Sequence, residues 1–464
     1  MTDFKNIEGI YFIGIGGIGM SALAHYFIKG GYTVAGYDRS SSSITFSLIS
    51  EGCAFTSVDS VEELPALFRL RESTGKVLVV YTPAIPPSSV ILSYFRNNGY
   101  MVVKRSEILG EISRHTDTLA IAGTHGKTTV STMTAHLLKQ SHIDCSAFLG
   151  GISKNYNSNL IVGESRYTVI EADEYDRSFH RLSPWMAVIT AVDPDHLEIY
   201  GTHEAMIEGY NIFCSLIRQG GKLVVNSRIR EKIIAPEAVD CFTYGTEPGA
   251  DFQAVDIVPM NGYYSFGIKT PDGVMRDLHL TYPGIINIEN MTAAVALAWL
   301  CGVTEDELRK GIVLFQGVKR RFDIRVNIPG LAYIDDYAHH PEEINACIRS
   351  VKEFFRGRRI TGIFQPHLFT RTRDHADGFA RILDELDEVI LLPVYPAREL
   401  PIEGVSSEMI LERMKCKNKR LLRKEDLPGS LNIDELDVLV TIGAGDIDTL
   451  VQPIENALKA ARIK

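Results

Sequence analysis

The sequence predicts an α/β protein made of three units, and three observations predict it. Short apolar runs end in glycine-rich turns at residues 10–13, 118–122 and Val438–Ile442, and each reads as a parallel strand. Helical stretches lie between them, at 131–139, 290–300 and 341–355, and strand alternating with helix is the pattern of α/β architecture. The length, 464 residues, favours about three units at roughly 150 residues each, every one burying its own core rather than sharing a continuous one. One strand-helix series gives way to the next near 114 and 322, so the expected domains are 1–114, 115–322 and 323–464.

Hydrophobic residues make up 45% and charged residues 23%, which is ordinary globular usage and excludes a disordered or fibrous chain. A net charge of −10 at pH 7 argues against nonspecific binding to nucleic acid or to an anionic membrane, because both reward clustered Lys and Arg. Residues 1–9 hold no basic segment leading into a long apolar stretch, and no uninterrupted apolar run of about 18 residues occurs. A cytoplasmic location is expected. The cysteines Cys53, Cys145, Cys214, Cys241, Cys301, Cys347 and Cys416 are scattered and never spaced Cys-x-x-Cys, so buried thiols are expected instead of disulfides or a zinc site.

The first glycine loop, Gly14 to Gly19, follows a strand, opens a helix and has Asp38 after a second strand at Thr33–Tyr37. This matches the dinucleotide-binding fingerprint. Glycines let backbone N–H groups approach a diphosphate, and the positive end of the helix dipole favours the anion. The pattern does not say which diphosphate: a dinucleotide and a UDP-sugar carry the same group.

The second loop, Gly123-Thr124-His125-Gly126-Lys127-Thr128-Thr129, follows the strand at 119–122 and precedes a helix, the context of a phosphate-cradling P-loop. Lys127 is placed to neutralise β- and γ-phosphate charge, and the Thr128 hydroxyl to meet a magnesium ion, which takes few protein ligands. Strict Walker spacing wants glycine where Ile121 stands, so the loop is a shorter variant. Downstream, a strand at 169–170 runs into the acidic cluster 171–176, where a P-loop enzyme carries its second metal-binding element. A further apolar run, 186–192, ends at Asp193, Asp195 and His196, on the rim where α/β sheets bind ligands.

Together these segments resemble the Mur ligases of peptidoglycan synthesis, whose ATP loop reads Gly-Thr-x-Gly-Lys-Thr as residues 123–128 do. The likeness runs in order along the chain: GIGGIGM at 14–20, EADEYDRSF at 171–179, DHLEIYG at 195–201, DDYAHHPEEI at 335–344, FQPHLFTRT at 364–372 and GAGDI at 443–447. These look like the branch that adds L-alanine to UDP-N-acetylmuramate. The resemblance implies a Rossmann-like N-terminal domain for the UDP-sugar, a central P-loop ATPase-type domain with a parallel sheet, and a Rossmann-like C-terminal domain that closes over the site about a hinge at 320–340.

Carried over by position, Gly16, Gly17, Ile18, Gly19, Met20 and Asp38 bind the UDP-sugar, whose diphosphate lies on the glycine loop, with no nicotinamide involved. Thr128, Glu174 and His196 become magnesium ligands and Lys127 the phosphate clamp within the ATP loop. Asn287 and Asn290 approach adenine, and Arg321 and Asp336 hold the nucleotide. His339, His367 and Arg371 face the substrate carboxylates and the incoming alanine. Three departures stand out: Ile286 where the family commonly has histidine, Leu368 where it commonly has arginine, and no lysine between Asp195 and Lys222, where several relatives carry a carbamylated one. The last fits the alanine-adding branch.

The implied reaction transfers the γ-phosphoryl group of ATP to a carboxylate, and an amine then displaces phosphate from the acyl phosphate. Implied partners are UDP-N-acetylmuramate, L-alanine and ATP with Mg2+, with neither nucleic acid nor membrane, and the chain acting as a monomer or weak homodimer. Two alternatives are a ligase that attaches a pre-formed tripeptide to the same sugar nucleotide, and an NAD-dependent oxidoreductase. The oxidoreductase leaves the second loop, the acidic cluster and His196 without roles.

Overall fold

The computed structural model describes residues 6–194, 197–260, 263–397 and 399–462. The first sheet is built from β1 (Gly9–Ile13), β2 (Thr33–Tyr37), β3 (Ala54–Thr56), β4 (Val77–Tyr81) and β5 (Met101–Lys104). All neighbours pair parallel in the order β3-β2-β1-β4-β5. β1 is buried along its whole length, as a continuous apolar run covered on both faces must be. The order reverses direction between β1 and β4, and the crevice at their carboxyl ends is where such sheets bind ligands.

The second sheet has ten strands: β6 (Asp117–Ala122), β7 (Ser146–Ser153), β8 (Ser158–Ile161), β9 (Tyr167–Glu171), β10 (Met186–Ile189), β11 (Lys222–Asn226), β12 (Asp240–Gly245), β13 (Phe252–Pro259), β14 (Tyr264–Thr270) and β15 (Gly273–Leu280). Their order is β15-β14-β13-β12-β11-β10-β6-β9-β7-β8. The stretch from β13 to β7 is parallel. The pairs β14–β15 and β7–β8 are antiparallel, so the sheet is mixed where a parallel one was expected. The short turn before Gly273, which adopts φ +156°, closes the β14–β15 hairpin. β15 then exposes its polar positions at the sheet edge, as antiparallel strands with one solvated face do.

The third sheet comprises β16 (Asp323–Ile328), β17 (Leu331–Asp336), β18 (Ile360–Phe364), β19 (Glu388–Leu391), β20 (Lys419–Leu421) and β21 (Val438–Ile442), in the order β16-β17-β21-β18-β19-β20. Only the β16–β17 edge pair is antiparallel. Alternate residues serve two cores: Ala332 and Ile334 join one apolar cluster, and Tyr333 joins another with Leu450, Ile454 and Leu458. That two-residue period is what a sheet covered on both faces requires.

The described residues divide into two compact units, one of Met1–Val258, Tyr264–Leu280 and Ile288–Gln316, the other of Pro259–Tyr263, Thr281–Asn287 and Gly317–Lys464. The first unit holds the first two sheets; they share one core, while Tyr11 and Ile13 of the first sheet join a further cluster of its own with Phe68 and Phe95. A single apolar cluster runs from Phe12 and Leu23 through Phe148 and Leu160 to Ala120 and Ile189. The cause is the helix Ile18–Lys29, which buries Met20, Leu23, Ala24 and Phe27 while Tyr26 packs on Phe148 with ring centroids 5.3 Å apart. A helix apolar on several faces is covered on several faces, and each such aromatic contributes about 1.5–3 kcal/mol by burial.

All seven cysteines are free; five are buried, and Cys241 and Cys416 are half-buried. Among the described residues no helix is long and apolar enough to cross a membrane.

Candidate active site

β6 delivers the chain to Gly123, and the helix Lys127–Lys139 leaves from Gly126. Gly123 adopts φ +135° and Gly126 φ +81°, and a Cβ on Gly123 would lie 2.0 Å from Thr190 Oγ1. The loop is pinned to β10 and its exit: Thr124 N donates to Ala191 O at 3.0 Å, Thr190 Oγ1 to His125 O at 2.5 Å, and Asp193 N to Thr124 Oγ1 at 3.1 Å. The N-cap, Gly126, offers no side chain, so the first amides of the helix face an anion cradle. Lys127 Nζ donates to Gly123 O at 2.6 Å and to Glu174 Oε1 at 2.8 Å. Burial works against the Lys127 ammonium, but Glu174, Asp173 and Glu171 outweigh it and hold it above the usual lysine range. Burial pushes the Glu174 carboxyl up, and Lys127 opposes this.

Thr128 faces a different carboxylate. Its hydroxyl donates to Glu171 Oε1 at 3.0 Å, while Glu171 Oε2 accepts Gly150 N at 3.0 Å. Register explains the contact: β9 pairs with β6, and Glu171 lies opposite Ile121, two residues before the loop. A Cβ on Gly150 would come within 2.3 Å of both Glu171 oxygens, so a glycine is what lets this carboxylate in. Thr128 and Glu171 bring together hard oxygen donors of the kind magnesium takes from a protein. Among the described residues no three His, Cys, Asp or Glu side chains are placed to hold a metal. His196, expected as a ligand, and Asp195 lie outside the described residues.

At the first glycine loop, Gly14 turns with φ +89°, and Gly16 N donates to Asp38 Oδ2 at 2.8 Å. Asp38 also accepts Ser40 N at 3.2 Å, so it braces the loop from within. Gly17 caps the helix Ile18–Lys29 without a side-chain bond, leaving Ile18, Gly19 and Met20 at the positive end of the dipole. Buried Asn159, at β8, ties this turn to the second sheet through Ile18 O at 2.6 Å and Ser21 Oγ at 2.9 Å.

In the second unit, the carboxyl end of β17 carries Asp336, whose oxygens accept Phe322 N at 2.6 Å and Ala338 N at 2.8 Å. Burial pushes its carboxyl up to about 6, against Arg321 and those two N–H groups. Arg321 stacks on Tyr337, its guanidinium carbon 5.1 Å from the ring centroid. His339 packs edge-on to His367 at 5.9 Å, and Arg371 Nη1 lies 3.3 Å from His367 Nδ1. Burial depresses His339, with Glu343 opposing and Arg371 and Arg321 adding to the effect. Leu368 holds φ +69° between His367 and the helix Phe369–Leu383, and its N–H donates to Tyr395 O at 2.9 Å. Asn287 and Asn290 lie on one helix, Ile285–Leu300. Asn287 Nδ2 donates to Pro283 O at 2.5 Å, and a Cβ on Gly126 would meet Asn290 Oδ1 at 2.9 Å.

Three family profiles match in order: "Mur ligase family, catalytic domain" over residues 9–116, "Mur ligase middle domain" over 121–298 and "Mur ligase, glutamate ligase domain" over 320–445. The chain is 49% identical to the UDP-N-acetylmuramate–L-alanine ligase of Parabacteroides distasonis over 98% of both chains. It is 50% identical to the enzyme of that name from Porphyromonas gingivalis, over 98% of this chain and 99% of that one. The chain belongs to the Mur ligase family. Its fold matches the crystal structure of the UDP-N-acetylmuramate-alanine ligase MurC of Thermotoga maritima with a TM-score of 0.83 at 26% identity, covering 98% of this chain and 99% of that one. A murein peptide ligase from Psychrobacter arcticus shares the fold with a TM-score of 0.70 at 21% identity, over 97% and 98%.

Within this Mur ligase, most of the residues singled out in the sequence gather as three groups, the first and second glycine loops in the first unit and the Asp336–Arg371 group in the second, with Asn287 and Asn290 on the helix Ile285–Leu300. Glu174 stands on Lys127, and the carboxylate beside Thr128 is Glu171, which the sequence placed in the acidic cluster 171–176 without singling it out. Its signal was its place as the last residue of a strand adjoining the P-loop strand. Asn159 and Arg105 were also unread, and neither sits in a motif.

Proposed function

We propose that the chain joins L-alanine to the lactyl carboxylate of UDP-N-acetylmuramate, driven by ATP. The observation that carries this reading is the phosphate loop, where a charged lysine and a threonine-glutamate pair meet a helix N-terminus. The relatives named above support the choice of sugar nucleotide and amine. A carboxylate is a poor electrophile until phosphorylated, and positioning with charge neutralisation carries such a transfer. Lys127 binds the γ-phosphate in the transition state, and the amides opening the helix Lys127–Lys139 orient the other phosphates. Magnesium, held by Thr128 and Glu171, would supply neutralisation of β- and γ-phosphate charge when bound.

The first loop, with Gly16, Gly17, Ile18, Gly19 and Met20, holds the UDP diphosphate. Asn287, Asn290, Arg321 and Asp336 bind the nucleoside of ATP, and His339, His367 and Arg371 bind the carboxylates of substrate and alanine. We place the reaction in the cytoplasm, where UDP-sugars and ATP occur together, and take the working form as a monomer or weak homodimer.

The test is phosphate release from ATP with UDP-N-acetylmuramate and magnesium, comparing L-alanine, the tripeptide and no amine. Alanine should stimulate release, and Lys127→Ala should lower it by about 100- to 1,000-fold. Stimulation by the tripeptide alone would reassign the amine, and no stimulation by either would overturn the reading.

A further inference from the structure

Four carboxylates, Glu171, Asp173, Glu174 and Asp176, lie within six residues, and the fold sends them in two directions. Glu171 and Glu174 meet the phosphate loop at Thr128 and Lys127. Asp173 and Asp176 instead meet the start of the helix Arg105–His115, which follows β5 of the first sheet. Arg105 Nη2 lies 3.4 Å from Asp173 Oδ2, and Lys104 Nζ donates to Asp176 Oδ2 at 2.8 Å.

Arg105 is set deep for a pairing of this kind. Its side chain is only 20% exposed, and it lies on Gly19 in the first turn of the diphosphate helix. A Cβ on Gly19 would come within 2.2 Å of Nη1 and 2.9 Å of Cζ. Glycine at 19 therefore admits a guanidinium to the rim of the anion cradle, where its planar fork suits phosphate oxygens. The bond to Asp173 is long for a charge-assisted one, and Asp173 is 41% exposed, so this pair is weak and exchangeable.

We propose that Arg105 grips the diphosphate of the sugar nucleotide and leaves Asp173 to do so, coupling the first glycine loop to the acidic segment that serves the ATP loop. The proposal rests on the reading of that first loop as the UDP-diphosphate cradle. Lys104 and Asp176 remain paired and keep the segment in place. Asp173, once released, loses the neutralisation Arg105 gave it, so its charge weighs more on Glu174 and Lys127 and filling one phosphate site is felt at the other. By linkage, the effect is reciprocal.

The test is calorimetric titration of the full-length chain with UDP, without magnesium. Arg105→Ala should weaken UDP by about 10- to 100-fold, the worth of one charge-assisted hydrogen bond, and Arg105→Lys should restore only part of it. Asp173→Asn removes the competitor for Arg105 and should tighten UDP by about two- to fivefold; being conservative at a half-exposed site, it also serves if Arg105→Ala fails to fold. UDP binding that Arg105→Ala leaves unchanged, or that Asp173→Asn weakens, overturns the proposal and leaves the cradle reading standing. A wild-type chain that does not bind UDP overturns both.

Discussion

At the phosphate loop Glu171 receives the hydroxyl of Thr128 and Glu174 the ammonium of Lys127, so replacing each should produce a different failure. Glu171→Gln should raise the magnesium concentration needed for half-maximal phosphate release about tenfold, because it removes charge from the metal's place. Glu174→Gln keeps an acceptor for Lys127 but removes the nearest counter-charge of a buried ammonium, which costs about 3–5 kcal/mol. Its melting temperature should fall while the magnesium midpoint stays put. A magnesium midpoint moved by Glu174→Gln and not by Glu171→Gln would return the metal to Glu174. The P-loop residues were legible because glycine, lysine and threonine at that spacing have one common use. Which acid of 171–176 faces which partner was not, because the chain leaves β9 after Glu171 and turns through Asp176 and Arg177 at positive φ, where no periodicity reports direction.

At the scale of elements, the turn between β6 and its helix depends on Gly123. Alanine there would overlap Thr190 Oγ1 and must hold φ +135°, a strain of at least about 1–2 kcal/mol. Gly123→Ala should therefore lose ATP binding, followed with a fluorescent nucleotide, while UDP binding at the first loop persists; intact ATP binding would show that the loop tolerates a shifted backbone. The apolar period of this helix reads from 131, yet it begins at Lys127, since Gly126 and not a hydrophobic residue sets its start. Likewise Ile285–Leu300 begins five residues before the expected 290, its first turn formed by the exposed Ile285 and Ile286. By contrast β21 matches its apolar run residue for residue, because a central strand buried on both faces has no exposed position to blur its ends.

At the scale of the molecule, two compact units should unfold in two transitions, and Asp336 marks one of them. Burial raises its folded-state pKa to about 6 from the ordinary aspartate value of 3.8. Its contribution to stability is therefore complete below the unfolded value and is lost as pH rises through about 6, on the order of 3 kcal/mol in all. Asp336→Asn should flatten that decline in the second unit's calorimetric transition between about pH 4 and 6, leaving the other transition unmoved; an unchanged slope would mean that the carboxyl ionises normally. The α/β class was legible because each strand-helix series carries its own punctuation. The shared core was not, because Tyr26 and Phe148 lie far apart in sequence and their meeting is a matter of packing. The acidic segment carries a further consequence, for how such a chain can vary in length. Its carboxylates are divided between the second glycine loop and the start of the helix Arg105–His115 by their phase along six residues, so a single-residue insertion or deletion between Glu171 and Asp176 exchanges their partners. Substitutions there can be graded; length changes cannot, and natural variation in this stretch should be confined to residue type.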